Sequence, residues 1–420
     1  MATKEQQQRW RERKKLGEVA RCQNCGGKNN NNLCVAFNLC LNKCWLKTPE
    51  GRAYNQERVA RSIARKFDRV AEAKRISTKF SSELGFVNKA ALEESEAKNN
   101  LEVLEEVGFA HFHHRRDKQT TIYSLAVLPD RQKEGWGRLL FYRVLCNAIE
   151  NGCDRIVAKC PEDLASNTFY DRMGFALAGT EPGKKRSLNR WEYRIELPLL
   201  FYCGGGGTSQ HDQTALEEGW RSGIRSNCTT KERWHMAMID NEWGDAYRHE
   251  QHLETVKRNK PLIATVKDIE AIDQLPTALK QARELAQYCG RVILIPKVKC
   301  WLPDKYWLGY SIPTGHGGTK IEPAWFGDRF VHLLGGSPDA QAQFAKQLNA
   351  VSLDANYAMK LANKWGQSAW QGCSNGVKVA EGCYPSMRIS FQKQKKYWHP
   401  KKDSVPWAGD PLFTLLTDDQ

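Results

Sequence analysis

Short apolar runs alternate with amphipathic segments along most of the 420-residue chain. Between about residues 71 and 197 the pattern predicts a helical stretch, three strands, a helix over 137–151, a fourth strand, a short helix and a final strand pair. Three successive strands before the first long helix indicate an internal hairpin. This segment is therefore expected to be a mixed α/β unit rather than a doubly wound parallel sheet.

From about residue 198 the chain changes to short apolar runs that turns or helical patterns mostly separate. Eight such runs are present: LLFYC, WRSGIRS, MAMID, LIATV, VILIP, WLGYSI, FVHLL and AVSLD. Runs of this length are typical of parallel strands buried on both faces, so eight of them predict a (β/α)8-like barrel. Two connections, around Pro303 and at Gly315–Gly318, are too short or too rich in glycine for full helices.

These patterns predict a multidomain α/β fold in four parts. They are a basic arm with a cysteine cluster at 1–70, the mixed α/β domain at 71–197, the barrel at 198–372 and a basic, aromatic extension at 373–420. No run approaches the roughly 18 apolar residues of a membrane span, and the amino terminus lacks the apolar centre of a secretory signal. We therefore expect a cytoplasmic protein without a membrane partner.

The amino-terminal arm is strongly basic. Residues 1–69 contain 16 Lys and Arg against 6 Asp and Glu, a net charge of +10 in a chain whose formal charge is +15. Basic segments bind polyanions, and nucleic acid is the usual one. Nucleic acid is therefore a candidate partner, although a charged helix is also often only a solvated face.

Five of the 14 cysteines lie between Cys22 and Cys44. The stretch CQNCGGK has the form of a metal knuckle, because a Cys-x-x-Cys turn followed by glycine lets two thiolates meet one tetrahedral ion. We predict a structural zinc bound by Cys22, Cys25, Cys40 and Cys44, with Cys34 as an alternative ligand. Free thiols are the other interpretation.

The stretch QKEGWGR opens the long predicted helix with two glycines. A glycine inside a helix costs about 1 kcal/mol relative to alanine, so Gly135 and Gly137 indicate that something approaches the backbone closely. A helix amino terminus offers unpaired N–H groups and a positive dipole end, which bind phosphate. The spacing matches neither the dinucleotide fingerprint nor the Walker loop. A glycine-rich turn without a ligand is the alternative.

The surroundings of this loop resemble the GNAT family of acyl-coenzyme A-dependent N-acyltransferases. The strand TIYSLAVLP, then Gln132-x-x-Gly135-x-Gly137, a strand and NTFYDRMGF follow the family order, and the resemblance extends over about 71–197. It implies that backbone amides of the loop hold the pyrophosphate of acetyl-CoA and that the preceding strand splays from its neighbour to admit the pantetheine arm. The implied cofactor-binding residues are Leu125, Val127, Gln132, Lys133, Glu134, Gly135, Trp136, Gly137, Arg138 and Asn167.

The resemblance also implies a catalytic acid. Tyr170 matches the family's tyrosine near the acyl sulfur, and a phenol with a pKa of about 10 suits protonation of the departing thiolate. Packing of Tyr170 onto the sheet is the alternative. Many members carry a glutamate base in the strand before the loop, where this chain offers Ser124. His111 and His113 are therefore candidate bases, unless they are solvated or the amine binds already neutral.

Barrels of this type carry their chemistry at the carboxyl ends of the strands, and two of those ends bear Asp240 and Asp354. This half faintly resembles barrel domains related to queuine tRNA-ribosyltransferases, on its strand order and on FVHLLGGSP and VSLDAN. The resemblance implies that the two aspartates act as base and nucleophile in exchanging a nucleobase. A helix-capping role, or a barrel that only binds, is the alternative.

The sequence thus predicts a GNAT-type N-acetyltransferase that moves an acetyl group from acetyl-CoA to an amine. A nucleobase or another nucleic-acid-associated molecule is one version of the acceptor. The rival interpretations are a nucleobase-exchanging enzyme with an auxiliary GNAT domain, and a nucleic-acid-binding protein without catalysis.

Overall fold

The computed structural model describes residues 19–21, 28–30, 67–84, 86–203, 209–226, 236–242, 244–315, 317–357 and 384–400. Within these ranges the chain forms a six-stranded sheet, a closed eight-stranded barrel and a two-stranded hairpin. The hairpin pairs β1 (Val19–Arg21) with β2 (Lys28–Asn30) in antiparallel register.

Residues 69–194 form the six-stranded sheet and its helices. The helices are α1 (Arg69–Lys79), α2 (Ser81–Leu84), α3 (Lys89–Ala97), α4 (Trp136–Glu150) and α5 (Asn167–Arg172). The strands are β3 (Leu101–Leu104), β4 (Gly108–His114), β5 (Gln119–Val127), β6 (Arg155–Pro161), β7 (Ala176–Pro182) and β8 (Ser187–Arg194). This order of elements is the one that the hydrophobic pattern predicts.

The sheet has the strand order β3-β4-β5-β6-β8-β7, in which β5 and β6 are parallel neighbours. Their pairing joins Gln119–Ile122 to Arg155–Ala158 and then ends, although β5 continues to Val127. A register shift against β4 leaves Tyr123 as an extra residue of β5 at this point. The two strands therefore separate toward their carboxyl ends, as expected for a sheet that admits a ligand between them.

Helices cover both faces of this sheet. On one face Leu140 of α4 packs against Phe112 of β4. On the other, Ile76 of α1 and Leu92 of α3 pack against Phe109. All five side chains are buried, and burying a side chain of this size contributes roughly 1.5–3 kcal/mol. Alternation along β4 thus fixes which face each helix occupies.

The described residues between 199 and 398 form the barrel. Its strands are β9 (Leu199–Cys203), β10 (Arg221–Arg225), β11 (Met236–Asp240), β12 (Ile263–Thr265), β13 (Arg291–Leu294), β14 (Trp307–Ser311), β15 (Phe330–Leu334) and β16 (Asn349–Ala355). Its helices are α6 (Ser209–Glu217), α7 (His249–Asn259), α8 (Leu275–Leu285), α9 (Pro338–Ala345) and α10 (Tyr384–Trp398).

Every neighbouring pair of barrel strands is parallel, and β16 pairs with β9 to close the ring. All eight apolar runs of the sequence are strands, so the predicted barrel is confirmed. In the described residues after β13 and after β14 no α-helix forms, and a short 3-10 helix at Pro323–Phe326 takes its place after β14. These are the two connections that contain Pro303 and Gly315–Gly318.

Helix α10 belongs to the barrel, whereas the sequence boundary at residue 372 leaves it in a peripheral extension. Met387 and Phe391 are fully buried in the barrel core. The ring of Phe391 lies 5.1 Å from that of Trp220, whose indole N–H donates to the Phe391 carbonyl at 3.2 Å. Arg388 pairs with Glu217 of α6 at 2.5 Å. These contacts are long-range, so the local pattern did not reveal them.

The amino-terminal ends of the barrel strands pack against α4. Glu150, the last residue of α4, accepts hydrogen bonds from Arg291 Nε at 2.6 Å and from Trp307 Nε1 at 2.8 Å. Gly290 permits this close approach, because an added Cβ would lie 3.2 Å from the Cβ of Tyr142. One apolar cluster runs from beneath α4 into the barrel interior. The sheet and the barrel therefore share a core.

The six described cysteines are all free thiols. Within the described residues, no helix has the length and apolar character that a membrane crossing requires.

The contact between the two halves predicts a measurable stability effect. Glu150→Ala removes the acceptor of Arg291 and Trp307. In the ion pair, the side chains of Arg291 and Glu150 are only 19% and 22% exposed. We expect the free energy of unfolding to fall by roughly 2–3 kcal/mol, somewhat less than for a fully buried pair. Urea denaturation measures this. Glu94→Ala is the control, since its pair with Lys98 is 65% and 50% exposed and should leave stability nearly unchanged. Equal losses in both variants would contradict the shared core.

Candidate active site

The loop after β5 ends in two residues with left-handed backbone. Lys133 has a φ of 66° and Gly135 a φ of 85°. Gly135 occupies the N-cap position of α4, and such a conformation costs a residue with a side chain about 1–2 kcal/mol. Gln132, the first residue of the motif, donates Nε2 to the Val127 carbonyl at 3.0 Å. The side chain of Gln132 therefore fixes the loop to the end of β5.

The amino terminus of α4 has no side-chain cap. Its first internal hydrogen bond runs from Leu139 N to Gly135 O at 3.0 Å. The preceding N–H groups, those of Trp136, Gly137 and Arg138, thus have no helical acceptor. Such a terminus binds an anion. An added Cβ on Gly135 would lie 3.3 Å from Arg138 Nη2 and 3.6 Å from Lys260 Cδ, so two cationic side chains border this terminus. The loop therefore fits a phosphate group such as the diphosphate of coenzyme A.

Three elements converge beside this terminus. An added Cβ on Gly137 would lie 3.3 Å from the ring of Phe169 in α5 and 3.8 Å from Val127 of β5. Glycine is therefore needed here for close packing rather than for its backbone angles. Leu125 and Val127 both lie in the part of β5 that does not pair with β6. The uncapped terminus and the open strand gap are thus adjacent.

Tyr170 lies on α5, one residue beyond the contact with α4. It is 8% exposed, and its ring stacks on that of Trp191 at 6.1 Å and meets that of Phe175 at 5.3 Å. Burial raises the pKa of Tyr170 well above its ordinary value of 10.0. Within the described part of the chain its hydroxyl has no hydrogen-bond partner. The phenol is therefore protonated at neutral pH and able to donate.

Asn167 uses its amide within the protein. Its Nδ2 donates to the carbonyls of Pro161 and Leu164, each at 2.8 Å. Its Oδ1 accepts from Trp191 Nε1 at 2.8 Å and from Asn189 Nδ2 at 3.1 Å. A primary amide has two N–H donors and two lone pairs, so nothing remains for a cofactor. In this geometry Asn167 positions the loop before α5, and cofactor binding by its side chain receives no support.

The other long side chains of the motif also have partners within the protein. Trp136 donates Nε1 to Glu134 Oε2 at 2.8 Å. Arg138 reaches the barrel, where Nη2 donates to the Asn259 carbonyl at 2.6 Å. If Trp136 and Arg138 bind the cofactor as predicted, they would do so through their backbone N–H groups.

The two candidate histidines occupy different places along β4. His111 pairs with Ser124 beside the extra residue of β5, and its ring lies 5.3 Å from that of Tyr123. His113 pairs with Thr121, in the part of the sheet where β5 and β6 are still joined. Burial, and then the charge of His113, lower the pKa of His111 below its ordinary value of 6.5. His111 is thus neutral at pH 7 and nearer the gap.

The mouth of the barrel brings Asp240 and Asp354 together. Asp240 accepts from Thr265 Oγ1 at 2.7 Å and from Asn241 N at 3.0 Å. Burial and the charge of Asp354 raise the pKa of Asp240 to about 7. Asp354 accepts from the Gly335 N–H at 3.2 Å. A partly buried carboxyl whose pKa is raised to about 7 thus lies close to a second carboxyl.

His332 was missed by the sequence analysis. Its Nε2 lies 3.3 Å from Asp354 Oδ1, and its Nδ1 lies 2.8 Å from Ser352 Oγ. The side chain is fully buried. A polar residue at the centre of the apolar run FVHLL was the available signal, because only a partner in the barrel interior would satisfy it.

The four predicted zinc ligands, Cys22, Cys25, Cys40 and Cys44, lie outside the described residues. In the described ranges no group of three or more His, Cys, Asp and Glu side chains could hold a metal ion.

Two family models match the chain. Residues 78–175 match the acetyltransferase (GNAT) family, and residues 215–399 match a family of unknown function (DUF6610). The first match covers the splayed strands, the uncapped helix and Tyr170. Residues 78–175 thus form a domain of the GNAT acetyltransferase family.

Solved structures similar to this chain resemble it only distantly. Ard1 from Thermoplasma volcanium is 15% identical, over 30% of this chain and 90% of that chain, with a TM-score of 0.27. The ribosomal-protein-S18-alanine N-acetyltransferase from Escherichia coli is 17% identical, over 30% and 87%, with a TM-score of 0.25. A Bacillus subtilis acetyltransferase in complex with CoA is 18% identical, over 21% and 69%, with a TM-score of 0.20. No curated protein matches the chain.

The loop geometry predicts the effect of a single substitution. Gly135→Asp places a carboxylate where a phosphate would bind, and the helix dipole favours that charge, so the fold should persist while acetyl-CoA binding is lost. Calorimetric titration measures the binding. Gly152→Asp is the matched control, because Gly152 follows the other end of α4, has a φ of 67° and has no atom within 4 Å of an added Cβ. Unchanged affinity in Gly135→Asp would contradict the phosphate site.

Proposed function

We propose that the chain transfers the acetyl group of acetyl-CoA to an amine within one ternary complex. The observation that carries the proposal is the uncapped amino terminus of α4, which adjoins both the open end of the β5–β6 gap and helix α5. A phosphate held at that terminus leaves the pantetheine arm free to run along the gap. Tyr170 then lies on the helix that borders the thioester.

Acetyl-CoA supplies the thioester in this reaction. The amine nitrogen forms a bond to the acetyl carbon, the carbon–sulfur bond breaks, and the phenol of Tyr170 gives its proton to the departing sulfur. Burial raises the pKa of Tyr170, so its hydroxyl carries the proton at neutral pH, as this step requires. The proton that the amine loses goes to His111 or to water.

His111 is the better of the two candidate bases. It pairs with Ser124, at the level where β5 has separated from β6. Burial lowers its pKa, so it is neutral and able to accept a proton at pH 7. A base with a lowered pKa loses this ability only as the pH falls through that lowered value. An acid limb in the rate caused by His111 would therefore lie below pH 6.5, the ordinary value for histidine.

A second candidate function belongs to the barrel mouth, where the contrast between two carboxyls favours acid–base chemistry. Asp240 has its pKa raised to about 7 by burial and by Asp354, whereas Asp354 accepts a hydrogen bond from Gly335 N. Paired carboxyls in unlike environments can divide the roles of acid and of base or nucleophile. No comparison supports the resemblance to queuine tRNA-ribosyltransferases, so exchange of a nucleobase at this site is a proposal from the sequence alone.

The amino-terminal arm supports a further proposal on its sequence alone. We propose that Cys22, Cys25, Cys40 and Cys44 bind a structural zinc and that the charge of +10 over residues 1–69 attracts nucleic acid, which carries the acceptor amine. Purified protein should then contain about one zinc per chain, lost in the double variant Cys22→Ser, Cys25→Ser. Metal-free native protein would refute the zinc site, and nucleic-acid binding that ignores salt would refute the charged partner.

Acetyl transfer should depend on one phenol. Tyr170→Phe removes a hydroxyl without changing the packing of its ring, so we expect turnover to fall by roughly 10² to 10⁴, the usual worth of a positioned acid, with little change in coenzyme A affinity. Steady-state kinetics with acetyl-CoA and an amine measures both. Tyr193→Phe is the control, because Tyr193 packs on Phe175 in the same aromatic cluster. Its hydroxyl accepts from Arg221, so this variant should lose some stability but keep its turnover. Equal turnover in Tyr170→Phe and the wild type would contradict the role of the phenol.

Variants of the barrel mouth separate the two candidate functions. If acetyl transfer is the main reaction, Asp240→Asn and Asp354→Asn should alter acceptor affinity more than the rate of transfer. A base-exchanging enzyme would give the reverse result, with the aspartate variants inactive and Tyr170→Phe unaffected, because an amide cannot replace a carboxylate nucleophile.

A further inference from the structure

The carboxyl end of α7 in the barrel meets the amino end of α4 in the GNAT domain. Lys260 is the C-cap residue of α7. Its Cδ lies 3.6 Å from the position of an added Cβ on Gly135, and its Nζ lies 4.2 Å from the centre of the Trp136 ring. The stem of this lysine therefore passes directly beside the uncapped helix terminus that fits a phosphate.

The ammonium group of Lys260 is poorly compensated. The residue is only 7% exposed, and Nζ donates to the Lys257 carbonyl at 3.1 Å. Among the residues that the structure describes, no carboxylate lies within 4.0 Å of this nitrogen. The charge of Glu134 attracts this ammonium and that of Arg138 repels it, and the Glu134 carboxylate accepts from the Trp136 indole. A buried ammonium normally has an ionic partner, because taking it out of water is costly.

The backbone at Lys260 is also unusual. Its φ of 44° and ψ of 60° lie in the left-handed region, where glycine or asparagine normally ends a helix. A residue with a longer side chain pays about 1–2 kcal/mol there. Asparagine adopts this conformation more readily than lysine, so Lys260→Asn changes the charge without adding backbone strain.

We propose that Lys260, a barrel residue, completes the phosphate-binding site of the GNAT domain and contacts a phosphate of coenzyme A. This inference rests on the proposed acetyl transfer. The N–H groups at the start of α4 hold one face of the phosphates, and the ammonium of Lys260 neutralises their charge from the barrel side. Coenzyme A has a diphosphate and a 3′-phosphate, and the lysine chemistry suits either. The cofactor site therefore spans both halves of the chain.

The competing explanation is that Lys260 serves only the protein. Its ammonium would then stabilise the last carbonyls of α7 and rest on the Trp136 ring, without a ligand. Removing the charge would lower stability in that case but would leave coenzyme A affinity unchanged. Binding and stability must therefore be measured on the same variants.

Titration of the full-length protein with coenzyme A and with dephospho-coenzyme A, which lacks the 3′-phosphate, tests the proposal. Lys260→Asn removes the charge and suits the left-handed backbone, whereas Lys260→Arg keeps the charge. Lys257→Gln is the control, because it removes a cation from the same end of α7. We expect Lys260→Asn to bind coenzyme A about 10- to 100-fold more weakly, with Lys260→Arg and Lys257→Gln close to the wild type.

The second ligand identifies which phosphate is bound. A loss that disappears with dephospho-coenzyme A supports contact with the 3′-phosphate, and an equal loss with both ligands supports contact with the diphosphate.

Folded Lys260→Asn that binds coenzyme A as tightly as the wild type would overturn the inference while leaving the proposed function intact. If Lys260→Asn does not fold, Lys260→Gln takes its place: weaker coenzyme A binding than in the wild type supports the inference, and unchanged affinity overturns it. Failure of the wild type to bind coenzyme A would instead overturn the proposed function itself.

Discussion

Helix α4 is buried on two sides, and the positions of both halves of the molecule follow from that. One side packs on the sheet through Leu140 against Phe112, and the other receives the amino-terminal ends of the barrel strands. At one end of this contact Glu150 accepts hydrogen bonds from Arg291 and Trp307. At the other end Arg138 donates a hydrogen bond to the Asn259 carbonyl. A helix fixed along its whole length presents its amino terminus in one orientation. The uncapped N–H groups are thus held in place before any ligand arrives.

That constraint places a barrel residue beside the amino terminus of α4. Because α7 ends where α4 begins, Lys260 lies beside Gly135 without any movement of either half. The barrel mouth, with Asp240 and Asp354, belongs to the opposite end of the strands from the contact with α4. The amino-terminal face of the barrel can therefore support the proposed cofactor site, while the opposite face carries a separate pair of carboxyls. An acceptor bound at the mouth would need to be long, or to be released and bound again, to meet the thioester.

The sequence predicted what depends on neighbouring residues in the chain. Hydrophobic periods of two and of 3.6 residues are local, so the strands of both halves and helix α4 could be predicted from them. The closed barrel could be predicted from the eight buried apolar runs. The glycines at 135 and 137 pointed to the loop for the same reason. The remaining features depend on distant residues. The amide of Asn167 is used up by Trp191 and by the loop before α5, α10 joins the barrel through Trp220, and Lys260 reaches a helix that begins more than a hundred residues earlier. No local pattern records such contacts.

Hydrogen–deuterium exchange of the full chain with and without coenzyme A tests the central claim most directly, because it reports on the backbone N–H groups themselves. Binding at the uncapped terminus predicts slower exchange in peptides that cover residues 133–139 and in those that cover the unpaired end of β5, with little change around Asp240 and Asp354. Slower exchange at the barrel mouth alone, or no change at the start of α4 at saturating coenzyme A, would contradict the account.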